Sequence, residues 1–525
     1  MSSYVYSYNF DGNINYKNES SKGTTQYTYD GMGRLAGEKF IRNGQQENIA
    51  YTYDSAGNRS YLTVTGSENY VTSYSYDKNN RLLKESKRKN GASYADLTLY
   101  TYDNNGNQIR KDKSKDDLTG IPSMGFFSEK ENSGYGYEKF AYNGFNQMTK
   151  YENENNNIAE YDYLSNGLRL SKTVNGSKTS YIWDGSQMIM TVTADETRSY
   201  AKAPGYMRTG TSKELTGGVP RNDELYLFNG HGDVVGVTDK SGNLEKSYEY
   251  DAFGNEINPN SNDNNPFRYC GEYWDSETGS IYLRARYYSP GTGRFTTEDL
   301  HWTVDNMIYG DYPDEDNPVP DFTAIKQSSN LYVYAMNNPI RYFDSSGLVA
   351  YDHFSSPDEA AKDWAFNYYG ASDYVAFECA SIIYMDWDEN GNIFYSYTYG
   401  VWGEAHSVSP GNAMKFVPDS AVAFSVIHSH PNSPDFSPAD MNYATSRCWS
   451  IYVVTKASSG VDVKKWADTR QGYKETTIVT NQAIAQLSNE RKQDLRNKFQ
   501  AKWNAHVKNG CPQGFGCEHK KWPRN

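Results

Sequence analysis

Tyr27-Thr28-Tyr29-Asp30, followed by Gly31-Met32-Gly33-Arg34-Leu35, sets the architecture because it recurs. Tyr51-Thr52-Tyr53-Asp54 precedes Ser55-Ala56-Gly57-Asn58-Arg59, Tyr74-Ser75-Tyr76-Asp77 precedes Lys78-Asn79-Asn80-Arg81-Leu82, and Tyr100-Thr101-Tyr102-Asp103 precedes Asn104-Asn105-Gly106-Asn107-Gln108. The aspartates fall at 30, 54, 77 and 103, in steps of 24, 23 and 26. Weaker copies surround Asn143, Tyr163, Asp184, Asn229 and Asp251. In Tyr-x-Tyr the two rings share one face of a strand, because alternate side chains point the same way. Asp then opens a turn by accepting from its own backbone, and Gly or Asn supplies a positive φ. Each unit therefore reads as a β-hairpin. One hairpin is marginal alone, but stacked copies bury a common face.

Composition agrees. The 525 residues carry 48 Tyr against 21 Phe and 10 Trp, with 43 Gly and 18 Pro, which suits half-exposed sheet and excludes a helical bundle. Lys+Arg number 52 and Asp+Glu 65, and the net charge of −13 argues against a nucleic-acid-coating protein. No apolar run approaches the ~20 residues of a membrane span. The N-terminus, MSSYVYSYNFDGN, has neither a basic start nor an apolar core. Export would then need a dedicated secretion apparatus, unless the start of the gene has been lost. Five scattered cysteines do not form a disulfide framework.

The repeats resemble the YD repeats of the RHS family, bacterial proteins whose hairpins wind into a large β-shell. The resemblance covers about residues 1–348. Asn265-Pro266-Phe267-Arg268-Tyr269, Gly271-Glu272-Tyr273-Trp274-Asp275, Ile281–Tyr288, Gly293-Arg294-Phe295 and Glu298-Asp299 resemble the RHS core signature, and Leu331–Leu348 its closing segment. In that family the shell severs its own C-terminal passenger with one Arg and two Asp. The resemblance maps these onto Arg286, Asp299 and Asp344, with the cut after Leu348. Ser345 stands where the family has Pro, and an extra segment at about 302–323 intervenes. The alternative is a structural salt-bridged cluster. A strand residue tiles roughly 16 Å², so about 350 residues cover at most ~5,600 Å². Enclosing a passenger of this size needs nearly ~8,000 Å². The expectation is an open or partial shell.

After Gly347 the rhythm stops. Pro357–Ala365 reads as a helix. Tyr374–Met385, Ser420–His428 and Ile451–Thr455 read as buried strands. Val461–Trp466 reads as a further strand, Asp388–Asn392 as a hairpin turn leading into Ile393–Tyr399, and Asn481–Val507 as helical. The second buried strand ends in His428-Ser429-His430-Pro431, and Ser437-Pro438-Ala439-Asp440 follows. His428 and His430 point the same way on an extended segment. One helical turn from Ser437 brings in Asp440. Two imidazoles and a carboxylate leave a fourth position open, as a catalytic zinc site requires. The other six histidines are scattered and suggest no rival cluster.

His-x-His-Pro followed by Ser-x-x-Asp resembles the JAMM motif of JAB/MPN metalloproteases, with five residues rather than the usual six between Pro431 and Ser437. The resemblance implies zinc held by His428, His430 and Asp440. It further implies Glu378 as the proton-transferring acid, and Ser437 as a donor to the developing oxyanion. A carboxylate such as Glu378 in an apolar strand costs several kcal/mol unless paired or neutral.

The expected fold is mainly β: a YD-repeat shell followed by a smaller α+β, JAB/MPN-like domain. The expected division is 1–264 repeats, 265–348 core with its cleavage segment, 349–475 metallopeptidase, and 476–525 a basic helical extension with nine Lys/Arg against three Asp/Glu from Asn481 onward. The expected function is a secreted or cell-surface toxin carrying a zinc peptidase or isopeptidase. Its partners would be a protein or peptide substrate, a cognate immunity protein and a secretion apparatus, without nucleic acid. The alternatives are an adhesive repeat protein with an inert metal-binding end domain and, from the basic tail alone, a nuclease. Cys511 and Cys517 with His519 could bind metal or close a small loop, although the spacing is not that of a standard zinc site.

Overall fold

The computed structural model describes residues 3–9, 13–42, 44–117, 136–202, 208–215, 220–309, 322–344, 346–348, 351–352, 356–387, 393–398, 400–403, 407–417, 421–433, 435–447, 449–458, 460–469, 472–482, 492–493, 495–497 and 499–500. The hairpin turn at Asp388–Asn392, Ser345, and the tail with Cys511, Cys517 and His519 lie outside these residues.

From Tyr4–Tyr8 to Leu244–Ser247, twenty-one strands form one antiparallel meander, each pairing with the next. The sheet is open rather than closed into a barrel. Each repeat folds as its residues require. Asp30 Oδ1 accepts from the N–H groups of Met32 (2.9 Å) and Arg34 (3.0 Å), and Oδ2 takes the Arg34 guanidinium at 2.7 Å. Asp54 repeats this with Ala56 and Asn58, Asp77 with Asn79 and Arg81, and Asp103 with Asn105 and Asn107. The residue three after each aspartate has positive φ: Gly33 (75°), Gly57 (81°), Asn80 (63°) and Gly106 (79°). That left-handed turn selects Gly or Asn.

The second tyrosine of each unit links it to the unit before. Tyr29 donates to Ile14 O, Tyr53 to Leu35 O and Tyr76 to Arg59 O, at 2.7, 2.7 and 2.8 Å. Tyr163 and Tyr250 repeat the bond to Met148 O and Val234 O. The Tyr excess thus has a geometric origin: a ring that spans the strand spacing and a hydroxyl that satisfies a carbonyl beyond it.

The core segment fills the inner face of this sheet. A small antiparallel sheet (Tyr273–Asp275, Ser280–Leu283, Arg286–Ser289, Arg294–Phe295) packs Tyr273, Ile281, Tyr282 and Tyr287 against Phe140, Tyr151, Tyr161 and Tyr181. The closing segment docks on three of the four turns: Asn338 Nδ2 donates to Gly33 O, Asn337 Nδ2 to Gly57 O and Tyr332 to Gly106 O. Among the described residues, the apolar clusters of the repeats and core contain nothing beyond Phe343.

The C-terminal part is a mixed sheet with helices on both faces. Its elements are α1 (Pro357–Val375), β1 (Cys379–Trp387), β2 (Ile393–Tyr397), β3 (Val401–Trp402), β4 (Val422–His430), α2 (Pro438–Arg447), β5 (Ser450–Lys456), β6 (Val461–Thr469) and β7 (Gly472–Gln482). The order is β2-β1-β4-β5-β6-β7, with β3 on the free end of β1. Only β4 and β5 run parallel, with α2 as their crossover. Ala361, Trp364 and Ala365 of α1 cover Cys379, Ile383 and Ile427, while Ala380, Ile382 and Val426 face the opposite side with Ala444 of α2.

Three sequence expectations change. The helix begun at Pro357 continues through Tyr374 to Val375, and Ala376 (φ 58°) ends it, so the strand starts only at Cys379. The apolar pattern alone could not separate a buried helix end from a buried strand. Second, β7 crosses the boundary expected at 475 and pairs with β6 through its Thr- and Val-rich centre. Third, the basic extension, expected as a separate segment, packs back onto the preceding domain. Leu495 and Phe499 are buried against Tyr374, Val375 and Phe377.

Candidate metal centre and processing site

Sheet register assembles the first site. Ala380 of β1 pairs with His428 of β4, so the antiparallel ladder places Glu378 opposite His430. Side-chain alternation sends Glu378, His428 and His430 to the face covered by α2. Ser429, between the histidines, points to the other face and meets Ser372 of α1 at 2.6 Å. The histidines stand at the carboxyl end of β4, where the chain turns into α2. That helix starts with a reciprocal cap: Ser437 Oγ accepts from Asp440 N (3.2 Å), and Asp440 Oδ2 accepts from Ser437 N (2.7 Å).

The result is a convergence of donor atoms. His428 Nε2 lies 3.0 Å from His430 Nε2 and 3.1 Å from Asp440 Oδ1, and His430 Nε2 lies 3.4 Å from Asp440 Oδ2. A tetrahedral ion with 2.0–2.1 Å arms has donors about 3.3 Å apart. The set therefore fits a zinc-type ion. His430 Nδ1 sits 2.8 Å from Asp435 O, which it serves as donor if Nε2 keeps its lone pair for the centre.

Glu378 Oε1 is 3.9 Å from His430 Nε2, and the residue is 6% exposed. Burial pushes its pKa up to about 7, and Asp440 adds to the rise, against a downward pull from His428. Burial opposes ionisation of Asp440, but the hydrogen bond and charge of His428 hold its carboxyl well below the usual range. Ser437 Oγ accepts as a helix cap, and no acceptor for its hydroxyl hydrogen is found among the described residues.

The second site lies under the small core sheet. Arg286 Nη2 is 2.8 Å from Asp299 Oδ2 and 3.4 Å from Asp344 Oδ2. Arg286 also donates to Gly347 O and Leu331 O. Asp344 Oδ1 accepts from Gly347 N (2.7 Å) and Leu348 N (3.0 Å). Burial raises both carboxyls despite the guanidinium, taking Asp299 to about 6. Gly347 (φ 74°) is required there, since a Cβ would lie 2.5 Å from Leu283 O. Trp302, from the extra segment, lines the same recess, and residues 310–321 lie outside the described structure.

One cluster escaped sequence reading. His231 is not scattered: Nδ1 lies 2.9 Å from Asp233 Oδ1 and 4.0 Å from Cys270 Sγ. Cys270 is thirty-nine positions away, and no spacing rule joins them.

The wound hairpins, the inward core and its closing segment define a YD-repeat shell. The chain belongs to the Teneurin YD-shell family, whose model matches residues 3–340. It is 29% identical over 328 residues to the tRNA3(Ser)-specific nuclease WapA of Bacillus spizizenii, covering 58% of this chain and 12% of that protein. It is 24% identical over 379 residues to the double-stranded DNA deaminase toxin A of Burkholderia cenocepacia, covering 66% and 22%. A solved structure of TcdB2-TccC3-Cdc42 is 18% identical, with a TM-score of 0.32 over 66% of this chain and 19% of that one. The chain thus spans between about a tenth and a quarter of the length of these proteins.

Proposed function

We propose that the chain is an RHS-type toxin whose C-terminal passenger is a JAMM-type zinc peptidase or isopeptidase. The carrying observation is the convergence of His428, His430 and Asp440 beside a buried Glu378. Two relatives are named for different activities, a tRNA nuclease and a DNA deaminase, and both match a share of this chain close to that of its shell. The shared shell therefore does not specify the reaction, and the passenger's own residues must. They form a largely buried cluster of donor atoms with an adjacent acid.

Zinc bound there would supply a Lewis acid and a water made acidic near neutral pH. The chain's own groups would do the rest. Glu378, poised near neutrality by burial, would accept the proton of the attacking water and deliver it to the leaving amine. Ser437 would donate its hydroxyl hydrogen to the developing oxyanion. Asp440 stays ionised, and His430 is oriented by Asp435 O. Protein or peptide is the substrate class. An immunity protein and a secretion apparatus would be the partners, with delivery to the cell surface or beyond.

The proposal includes self-cleavage after Leu348. Asp344 grips the amides on either side of Gly347, and the two raised carboxyls allow one to act as acid and the other as base. A division into repeats, core, peptidase and extension follows from this reading. The test is expression of the full chain beside His428→Ala. Growth inhibition and cleavage of a peptide library by the parent alone, with loss of bound zinc in the variant, support it. Equal inhibition and equal zinc in both would sink it.

A further inference from the structure

We infer that His231, Asp233 and Cys270 form a second site, for a thiophilic divalent ion of the zinc type, inside the shell. The inference is independent of the passenger's chemistry. His231 and Asp233 come from one repeat turn, opened by Asn229, whose Oδ1 accepts from both their amides. Cys270 comes from the core, at a three-residue turn (Tyr269–Gly271) packed under that repeat. One ligand atom from each of the three residues lies within 4.8 Å of the other two.

Two other readings of the trio fail on geometry. In a nucleophile relay, the imidazole uses one nitrogen for the thiol and the other for the carboxylate. Here both partners face the same atom: Nδ1 is 2.9 Å from Asp233 and 4.0 Å from Cys270 Sγ. That arrangement surrounds a point; it does not pass a proton through the ring. The thiol is also 3% exposed and offers no path to a substrate. Nor does Cys270 form a disulfide with Cys379, the other cysteine among the described residues.

The backbone is bent to make the approach. Cys270 holds φ at 53°, a left-handed conformation that non-glycine residues rarely adopt. Its N–H donates to Asp233 Oδ1 at 2.9 Å, which turns the side chain towards the imidazole. His231 Nε2 is buried without a hydrogen-bond partner among the described residues, so the ring is placed for its other nitrogen. Tyr334, from the closing segment, brings its hydroxyl to 3.6 Å from Sγ. An ion here would tie a repeat turn, the core turn and the closing segment together. Thiolate, imidazole and carboxylate suit zinc over calcium or magnesium. Binding would release the thiol proton.

Cobalt reports the site, because a thiolate ligand to Co²⁺ gives a near-ultraviolet charge-transfer band and the His428 centre contains no sulfur. The purified full chain is loaded with Co²⁺ beside Cys270→Ser, His231→Gln and His428→Ala, and zinc content is measured in parallel. The expected result is a thiolate band in the parent and in His428→Ala that vanishes in Cys270→Ser and His231→Gln, with each of those two losing one equivalent of zinc. Absence of the band in the parent overturns the inference. So does a band that survives in whichever of Cys270→Ser and His231→Gln keeps the parent's circular dichroism. If neither keeps it, chelation decides: a melting temperature of His428→Ala unmoved by metal removal and zinc restoration overturns the inference.

Discussion

Glu378 and His430 face each other across two antiparallel strands, with the carboxylate oxygen 3.9 Å from Nε2. Glu378 lies between the helix end at Val375 and the strand start at Cys379, and His430 ends the neighbouring strand, so only the ladder brings them together. Glu378→Gln keeps the shape and removes the proton acceptor. Turnover should fall by about 10²–10⁴-fold, with zinc content unchanged. Growth assays and metal analysis on the same preparation check this. A fully toxic Glu378→Gln chain would leave Glu378 without a catalytic role.

Arg286, Asp299 and Asp344 should act on the chain itself. Asp344→Asn and Gly347→Ala should each leave the polypeptide intact where the parent yields two fragments. The first removes a carboxyl; the second places a Cβ 2.5 Å from Leu283 O. Mass spectrometry of the parent fragments should put the new C-terminus at Leu348. Intact parent protein after prolonged incubation would reduce the trio to a buried ion-pair cluster.

Asp299 also predicts a pH dependence. Its folded pKa of about 6 lies above the unfolded value near ~3.9. Between these values the folded chain binds more protons than the unfolded one, so this group's contribution to stability falls as pH rises from about 4 to about 6 and is flat above. Urea midpoints of the parent minus those of Asp299→Asn should decline across that window. A flat or rising difference contradicts the burial-driven shift.

Asp275 is fully buried against Arg169 (2.5 Å) and Lys172 (2.8 Å). It joins core to repeats. Asp275→Asn would leave two cations under-compensated and should cost about 3–5 kcal/mol, read as a lowered denaturation midpoint. A loss below ~1 kcal/mol would mean the pair behaves as a solvated one.

Each YD turn should matter locally. Asp54→Ala removes the acceptor for Ala56 and Asn58 and should cost about 1–3 kcal/mol. Hydrogen exchange should quicken at 45–65, with less change beyond the neighbouring strands, because repeats couple to their neighbours. Uniform exchange across the shell would show a fully cooperative unit instead.

The Tyr-x-Tyr-Asp period made the hairpins and their turns legible, because strand alternation, Asx bonding and left-handed glycine act within about ten residues. His428, His430 and Asp440 were legible for the same reason: a strand end and one helical turn span thirteen positions. Glu378 needed the β1–β4 register, and its burial could be seen only once α2 covered that face. The end of α1 at Val375 and the strand at Gly472–Gln482 were hidden because apolar or β-branched runs of this length fit more than one element. The pairing of His231 and Asp233 with Cys270, and of Arg169 with Asp275, joins residues up to about a hundred positions apart. Local sequence determines which turns and strands form. Which buried charges and ligands meet is decided by how the core folds back inside the sheet, since burial is a property of the closed packing and not of any one segment.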